Sequence, residues 1–186
     1  VSEPTVAGAT DHELPAVEGE LLADRAIAWE PPAALHERAF YGQPLDRDGE
    51  AIQLSLVEAA YLAATGTLEL EEDPAAVAAR GRAVEGERFD RRRRVYRTLR
   101  EAGIVPKTGF KFGADFRTYA EVTSVEQLGH SERLVRVLPA GHEFDPRELA
   151  LDVRLAGGVR KEMVFALVDG GDGEGIVWLA LERLTP

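Results

Sequence analysis

Three reactive side chains occur in the second half of the sequence, at positions where we expect strands to begin or end. Tyr119 ends the run FGADFRTY, His130 begins HSERLVRV, and Lys161 precedes EMVFALVD. Side chains at such edges are presented to clefts. A histidine with a pKa of about 6.5 can donate a proton near neutrality, and an ammonium group can stabilise a developing negative charge. Singly, each residue has a commoner structural role, as a packing tyrosine, a turn histidine or a lysine at a helix end.

The composition excludes several kinds of site and leaves two explanations for the charge. There is no Cys, and the four His show no paired metal-ligand spacing, so we expect neither a metal nor a cofactor. The net charge of −11 argues at first against a nucleic-acid partner, yet only three of the 22 basic residues are Lys. An acidic, lysine-poor surface is typical of a protein dissolved in concentrated salt, which screens repulsion from phosphates. An ordinary acidic protein from a GC-rich genome would show the same composition.

The termini and apolar runs bear on location. No apolar run is long enough to span a membrane, and the first twenty residues do not form a signal peptide. We therefore expect a cytoplasmic protein without a membrane partner. Because the chain opens on Val, we also expect that its native start is missing.

The first half of the chain predicts a leader followed by a small α+β domain. Residues 1–18 are polar and aperiodic, which indicates a leader or linker. Within 19–88, GELLADRAIAWEPP predicts one or two strands. A helix follows Ser55, which is a good N-cap, ends at Gly66 and leads to a short strand. DPAAVAARGRAVEG predicts a second helix.

The second half, 89–186, predicts an α/β domain with a mixed central sheet. FDRRRRVYRTLREAG predicts a basic helix from near Asp90 to Gly103, and its four consecutive Arg favour a solvated face over phosphate contact. Five β-rich runs follow, interrupted by one helix with Asp145 as cap and Pro146 at its first position. We expect KTGFKFGADFRTY (107–119) to form a strand, a turn and a strand, with its Phe residues in the core.

An ordered series of segments indicates a family. VYRTLREAGIVPKTGFKFGADFRTY, HSERLVRV and RLAGGVRKEMVFALVD resemble the catalytic domain of archaeal tRNA-splicing endonucleases, over most of 90–186. The segment LSLVEAAYLAATGTLEL, with the YG before it, is more weakly similar to the family's small N-terminal domain. The resemblance implies a restriction-endonuclease-like core and, with the lysine-poor composition, a haloarchaeal type.

The resemblance also implies an activity, which is metal-independent cleavage of precursor tRNA at a bulge–helix–bulge. Tyr119 would be the general base for the attacking 2′-hydroxyl, His130 the general acid for the leaving 5′-oxygen, and Lys161 the stabiliser of charge on the phosphate. The products would be a 2′,3′-cyclic phosphate and a 5′-hydroxyl. A tyrosine pKa of about 10 leaves little phenolate at neutral pH, so nearby cations would have to lower it, or Tyr119 would mainly orient the nucleophile.

Further residues are implicated in RNA binding. By similarity, a flipped bulge base would be clamped between two flat side chains, of which Arg154 is one and Trp178 the other. Trp178 could equally be a half-buried strand residue. Lys107 and Lys111 would add positive charge near phosphates, or would only be exposed.

The acidic loop DGGDGEG (169–175) is implicated in assembly. It lacks the spaced carboxylates of a calcium loop, although a flexible hairpin is plausible. In similar proteins an acidic loop here docks into a basic pocket of a neighbouring subunit, which would involve Asp169, Asp172 and Glu174. Such proteins work as homotetramers, as dimers of two-repeat chains or as heterotetramers, and we expect this chain to be the second half of a two-repeat chain.

Three alternatives compete with this interpretation. A non-catalytic structural subunit of the same assembly would typically lack the three reactive residues, all of which are present. A metal-dependent DNA nuclease would need an acidic pair and a Glu-x-Lys element, whereas the order around Lys161 is Arg-Lys-Glu. A pure RNA-binding module would bind without cleaving.

Overall fold

Residues 14–45, 49–120, 122, 124–129, 131–169 and 175–183 are described by the computed structural model. The described residues divide into two compact units. The first comprises those within Val1–Arg93 and Glu121–Gln127, and the second those within Arg94–Ala120 and Leu128–Pro186. This division falls later in the chain than the expected boundary after residue 88, and each unit is described by itself.

The first unit contains a five-stranded sheet and helices. Its elements are β1 (Val17–Leu21), β2 (Arg25–Trp29), α1 (Ala33–Glu37), β3 (Gln43–Pro44), β4 (Ala51–Ser55), α2 (Leu56–Ala64), β5 (Leu68–Glu69) and α3 (Pro74–Glu85), with the strand order β3-β4-β2-β1-β5. The expected leader is two residues too long at its end, because β1 begins at Val17. That residue is buried and pairs in parallel with Leu68 of β5.

Local signals in the sequence explain the helices of this unit. Ser55 and Glu58 form the capping box of α2, in which each side chain binds the other residue's main chain. Gly66, with φ of 77°, follows the helix end, and β5 comes next as predicted. Asp73 caps α3 by accepting from the amide of Ala75, and Pro74 occupies the first turn.

The second unit contains a mixed sheet. Helix α4 (Glu87–Glu101) crosses the division and is followed by β6 (Val105–Thr108), β7 (Phe116–Tyr119), β8 (Arg133–Pro139), α5 (Pro146–Gly158), β9 (Glu162–Val168) and β10 (Ile176–Leu181), with the strand order β10-β9-β8-β7-β6. Strands β8 and β9 are parallel and joined through α5, and all other neighbours are antiparallel. This confirms the predicted α+β unit followed by an α/β unit with a mixed central sheet.

The two faces of this sheet carry different helices. Ala156 of α5 packs in one core cluster with Leu134 of β8 and with Met163 and Phe165 of β9. On the other face, the ring of Tyr96 from α4 lies 5.9 Å from that of Phe116. Phe116 pairs in register with Val135, the neighbour of Leu134, so the two helices lie on opposite faces.

The prediction for α4 is wrong in two respects. The helix begins at Glu87, three residues before Asp90, because Gly86 (φ 64°) ends α3 and a new helix starts at once. Its arginines do not form a solvated face. Arg92 is only 8% exposed and its guanidinium contacts the Glu85 carboxylate at 2.5 Å.

The segment 107–119 forms two strands around a tight connection, as predicted. Only some of its Phe residues lie in the core, although all of them were expected there. A 3-10 turn at Phe110–Phe112 and Gly113 in the left-handed region (φ 67°) join β6 to β7. Phe116 is buried, whereas Phe110 is 73% exposed because it lies on the outside of the turn.

Candidate active site

Tyr119 is held at the end of β7 by a main-chain carbonyl. Its hydroxyl donates a hydrogen bond to the carbonyl oxygen of Leu128, and the residue is 2% exposed. Because side chains alternate along a strand, Tyr119 shares a face of the sheet with Arg117, which lies opposite Leu134 in register. That is the face covered by α5.

Lys161 is held in a similar way, where α5 leads into β9. Its main-chain amide donates to the Ala156 carbonyl at 2.9 Å, and its Nζ donates to the carbonyl of Ser131 at 2.6 Å. Its pKa is lowered from 10.5, first by burial and then by the positive charge of Arg117. Leu128 and Ser131 are three residues apart in the chain, so one short segment binds both Tyr119 and Lys161.

Arg117 is a site residue that the sequence analysis missed. Its Nε donates to the carbonyl of Thr108 at 3.0 Å, and its guanidinium carbon lies 6.0 Å from the centre of the Tyr119 ring and 5.9 Å from that of Phe112. Its alternation with Tyr119 was the available signal, because residues two apart in a strand share a face. Tyr119, Lys161 and Arg117 are therefore all held by main-chain carbonyls.

The position of His130 lies outside the described residues, between Leu128 and Ser131 in the chain. Ser131 itself is 6% exposed, and its hydroxyl oxygen has no hydrogen-bond partner among the described residues. No pattern in the sequence singled out Ser131.

The structure does not bring Arg154 and Trp178 together. Arg154 is exposed on α5. Trp178 pairs with Ala166 on the opposite face and lines a cavity of about 320 Å³ with Arg94, Arg97 and other residues. The sheet lies between these two residues within this chain, and the base clamp that they are expected to form stays a prediction.

The two other lysines differ in environment. Lys107 is 6% exposed and lies directly opposite Arg117 in the β6–β7 pair, so it is neither on the surface nor remote from the site. Lys111 is exposed on the 3-10 turn. Neither position by itself establishes a phosphate contact.

Of the acidic loop, Asp169 is exposed and its carbonyl accepts a hydrogen bond from Arg94 at 2.9 Å. Asp172 and Glu174 lie outside the described residues. The described part of the chain contains no group of three His, Cys, Asp or Glu that could hold a metal ion. Within the same ranges, no helix is long and apolar enough to cross a membrane.

Comparison with known proteins identifies the family of both halves. Residues 89–178 match the model of the tRNA intron endonuclease catalytic C-terminal domain, and residues 17–80 match that of the tRNA intron endonuclease N-terminal domain. The match to the first of these covers Tyr119, His130 and Lys161.

Several curated relatives are similar over nearly the whole chain. A tRNA-splicing endonuclease of Haloarcula marismortui is 66% identical over 182 residues, which are 97% of this chain and 53% of the relative. One of Natronomonas pharaonis is 66% identical over 91% of this chain and 50% of the relative, and one of Halobacterium salinarum is 56% identical over 100% and 55%. These sources agree with the haloarchaeal type expected from the composition.

The chain spans about half the length of the curated relatives it matches. The two family models nevertheless account for most of its residues, in the expected order and on the two structural units. The chain belongs to the tRNA intron endonuclease family.

Proposed function

We propose that this chain carries an active site of a tRNA-splicing endonuclease, which cuts precursor tRNA at intron–exon junctions without a metal ion. The observation that carries the proposal is that a phenol and an ammonium group are bound by two carbonyls three residues apart, those of Leu128 and Ser131. The position of His130 falls between those two residues in the chain. The named activity of the relatives supports the same reaction class.

The chemistry is an attack of the 2′-hydroxyl oxygen on the adjacent phosphorus. A new P–O bond closes the 2′,3′-cyclic phosphate, and the bond to the 5′-oxygen breaks. The 2′-hydroxyl proton leaves towards Tyr119, and His130 gives a proton to the departing 5′-oxygen. Lys161 lies against the non-bridging oxygens, where its positive charge is worth most as negative charge develops.

The hydrogen bond of Tyr119 sets a condition on its role. In this structure the hydroxyl of Tyr119 donates its hydrogen bond to the Leu128 carbonyl. To act as a base, Tyr119 must first lose its phenolic proton and give up the bond to the carbonyl. If the bond persists, its oxygen can still accept from the 2′-hydroxyl and orient it.

The substrate, partners and domain roles follow as further parts of the proposal. The substrate is a bulge–helix–bulge RNA, recognised by shape and by splayed-out bases. Arg154, Trp178 and Lys111 are exposed cationic or aromatic groups suited to bases or phosphates, each on its own part of the surface. The loop bearing Asp169, Asp172 and Glu174 docks on a second subunit or repeat, and the protein works in the cytoplasm.

The alternative is a structural half that binds RNA but does not cleave it. Its specific support is that the chain spans only about half the length of its relatives, so that in those proteins the unmatched half could supply the chemistry. Tyr119, His130 and Lys161 are all present in this chain, which favours the catalytic reading.

A cleavage assay distinguishes these functions. A labelled bulge–helix–bulge RNA is incubated in EDTA at low and high potassium chloride with the parent, His130→Ala, Lys161→Ala and the control Tyr96→Phe. We expect cleavage with cyclic-phosphate ends by the parent and the control only. Binding without cleavage would favour the structural half, and cleavage only with magnesium would overturn the mechanism.

A further inference from the structure

Two positive charges in the site are not neutralised by any described carboxylate. The Nζ of Lys161 and the Nε of Arg117 both donate to neutral main-chain carbonyls. Leu134 pairs with Arg117 on one side and with Met163 on the other, and Lys161 lies two residues before Met163, so Arg117 and Lys161 lie on the same face of the sheet. The positive charge of Arg117 also contributes to lowering the pKa of Lys161. The nearby Glu162 carboxylate is bound to Arg133 at 2.6 Å.

Arg117 is also fixed in position. Its bond to Thr108 uses one of five guanidinium N–H donors, and the remaining four have no acceptor among the described residues. The rings of Phe112 and Tyr119 lie within 6.0 Å of the guanidinium carbon, which restrains the plane of the group. A fixed guanidinium with free donors is suited to bidentate contact with phosphate oxygens.

We propose that Arg117 is a further catalytic residue, which with Lys161 binds the non-bridging oxygens of the scissile phosphodiester beside Tyr119. A phosphodiester placed between the two cations adds two attractions at shorter range, which outweigh the repulsion that remains between them. Lysine supplies a compact charge, whereas arginine supplies the planar fork that fixes the phosphate orientation. This inference rests on the proposed function and adds to it a second electrostatic group.

The first test does not depend on RNA cleavage. Inorganic phosphate is titrated into the protein while the NMR signal of the Arg117 Nε–H is followed. We expect a saturable shift of this signal. The phosphate affinity that the titration yields should fall at least threefold in Lys161→Gln. The signal of Arg133 serves as the control and stays unshifted. Arg133 lies opposite Thr118 on the other face of the sheet and is paired with Glu162. Absence of a shift at Arg117 would overturn the inference.

The second test measures cleavage. We expect Arg117→Gln to lower kcat/KM for the bulge–helix–bulge RNA by about 10- to 100-fold, the worth of one hydrogen bond to a charged group. Arg117→Lys, which also loses the fork and the Thr108 contact, recovers part of that loss through its charge. Arg133→Gln stays within about twofold of the parent.

The two tests separate the failure of the inference from that of the proposed function. If the parent cleaves and Arg117→Gln cleaves equally well at an unchanged melting temperature, Arg117 has no catalytic role. If Arg117→Lys is as impaired as Arg117→Gln and both melt early, the residue is structural and the inference is wrong. If the parent neither binds nor cleaves this RNA, the proposed function fails, and the phosphate titration alone decides whether Arg117 and Lys161 form an anion site.

Discussion

Replacing Tyr119 by Phe removes one hydroxyl, and the structure supplies a matched control for that change. Tyr119 is buried and its hydroxyl is bound to the Leu128 carbonyl; Tyr96 is equally buried, and its hydroxyl accepts from Arg100 Nε at 3.1 Å. Loss of the neutral Tyr119 bond should lower the free energy of unfolding by about 0.5–1.5 kcal/mol, and loss of the bond from the charged Arg100 by about 1.5–3 kcal/mol. On stability alone Tyr119→Phe should therefore be no worse than Tyr96→Phe.

Cleavage should separate the two variants. If Tyr119 takes the 2′-hydroxyl proton, Tyr119→Phe lowers the single-turnover rate by about 10²–10⁴, which is about 2.7–5.5 kcal/mol of activation free energy. If it only orients the nucleophile through one hydrogen bond, the loss is about tenfold. Tyr96→Phe keeps the parental rate. Both rates are measured with saturating bulge–helix–bulge RNA in EDTA, after urea unfolding has confirmed that both variants are folded. A rate for Tyr119→Phe within about threefold of Tyr96→Phe would refute the assignment.

Three further predictions concern stability. Glu58→Ala removes a buried carboxylate that accepts hydrogen bonds from the amides of Gly42 and Ser55 at 3.0 Å each. Urea unfolding should therefore show a loss of about 2–4 kcal/mol in the free energy of unfolding, against about 1 kcal/mol for Ser55→Ala. Equal losses in the two variants would contradict this. Ser131→Ala removes a buried hydroxyl without a partner among the described residues, so the melting temperature should stay level or rise, and a clear fall would contradict this. Burial and a neighbouring cation lower the pKa of Lys161, so the folded chain loses this proton at a lower pH than the unfolded chain does. The charged lysine therefore lowers the free energy of unfolding at neutral pH, and this effect disappears as pH rises towards 10.5. The unfolding free energy of Lys161→Met minus that of the parent should therefore shrink between pH 7 and 10.5, and a growing difference would contradict this.

The elements that the sequence predicted well are those whose signals are local. The cap of α2 at Ser55, the end of that helix at Gly66, and the start of α5 at Asp145 and Pro146 all follow from side chains that bind or restrict their own neighbouring backbone. The mixed character of the second sheet also followed from the order of strands and one intervening helix. The same local reasoning misplaced the start of α4, because Gly86 allows one helix to follow another without a loop.

The parts of the site that the sequence could not predict depend on pairing across the sheet. Arg117 shares a face of the sheet with Tyr119 and Lys161 only because β7, β8 and β9 lie side by side in one register. The same pairing puts Trp178 on the face opposite α5, which single-residue similarity could not reveal. The burial of Arg92 depends on Glu85 of the preceding helix, so a run of four arginines was mistaken for a solvated surface.

The use of main-chain carbonyls to hold Tyr119, Lys161 and Arg117 has a consequence for how such a site can vary. The acceptors belong to Leu128, Ser131 and Thr108, but every amino acid would offer the same oxygen at those positions. The supporting shell can therefore drift in sequence while the reactive groups stay in place, provided that the backbone path is kept. An engineer who transplants the site should copy that path, and can choose the side chains of the three acceptor residues for solubility or stability.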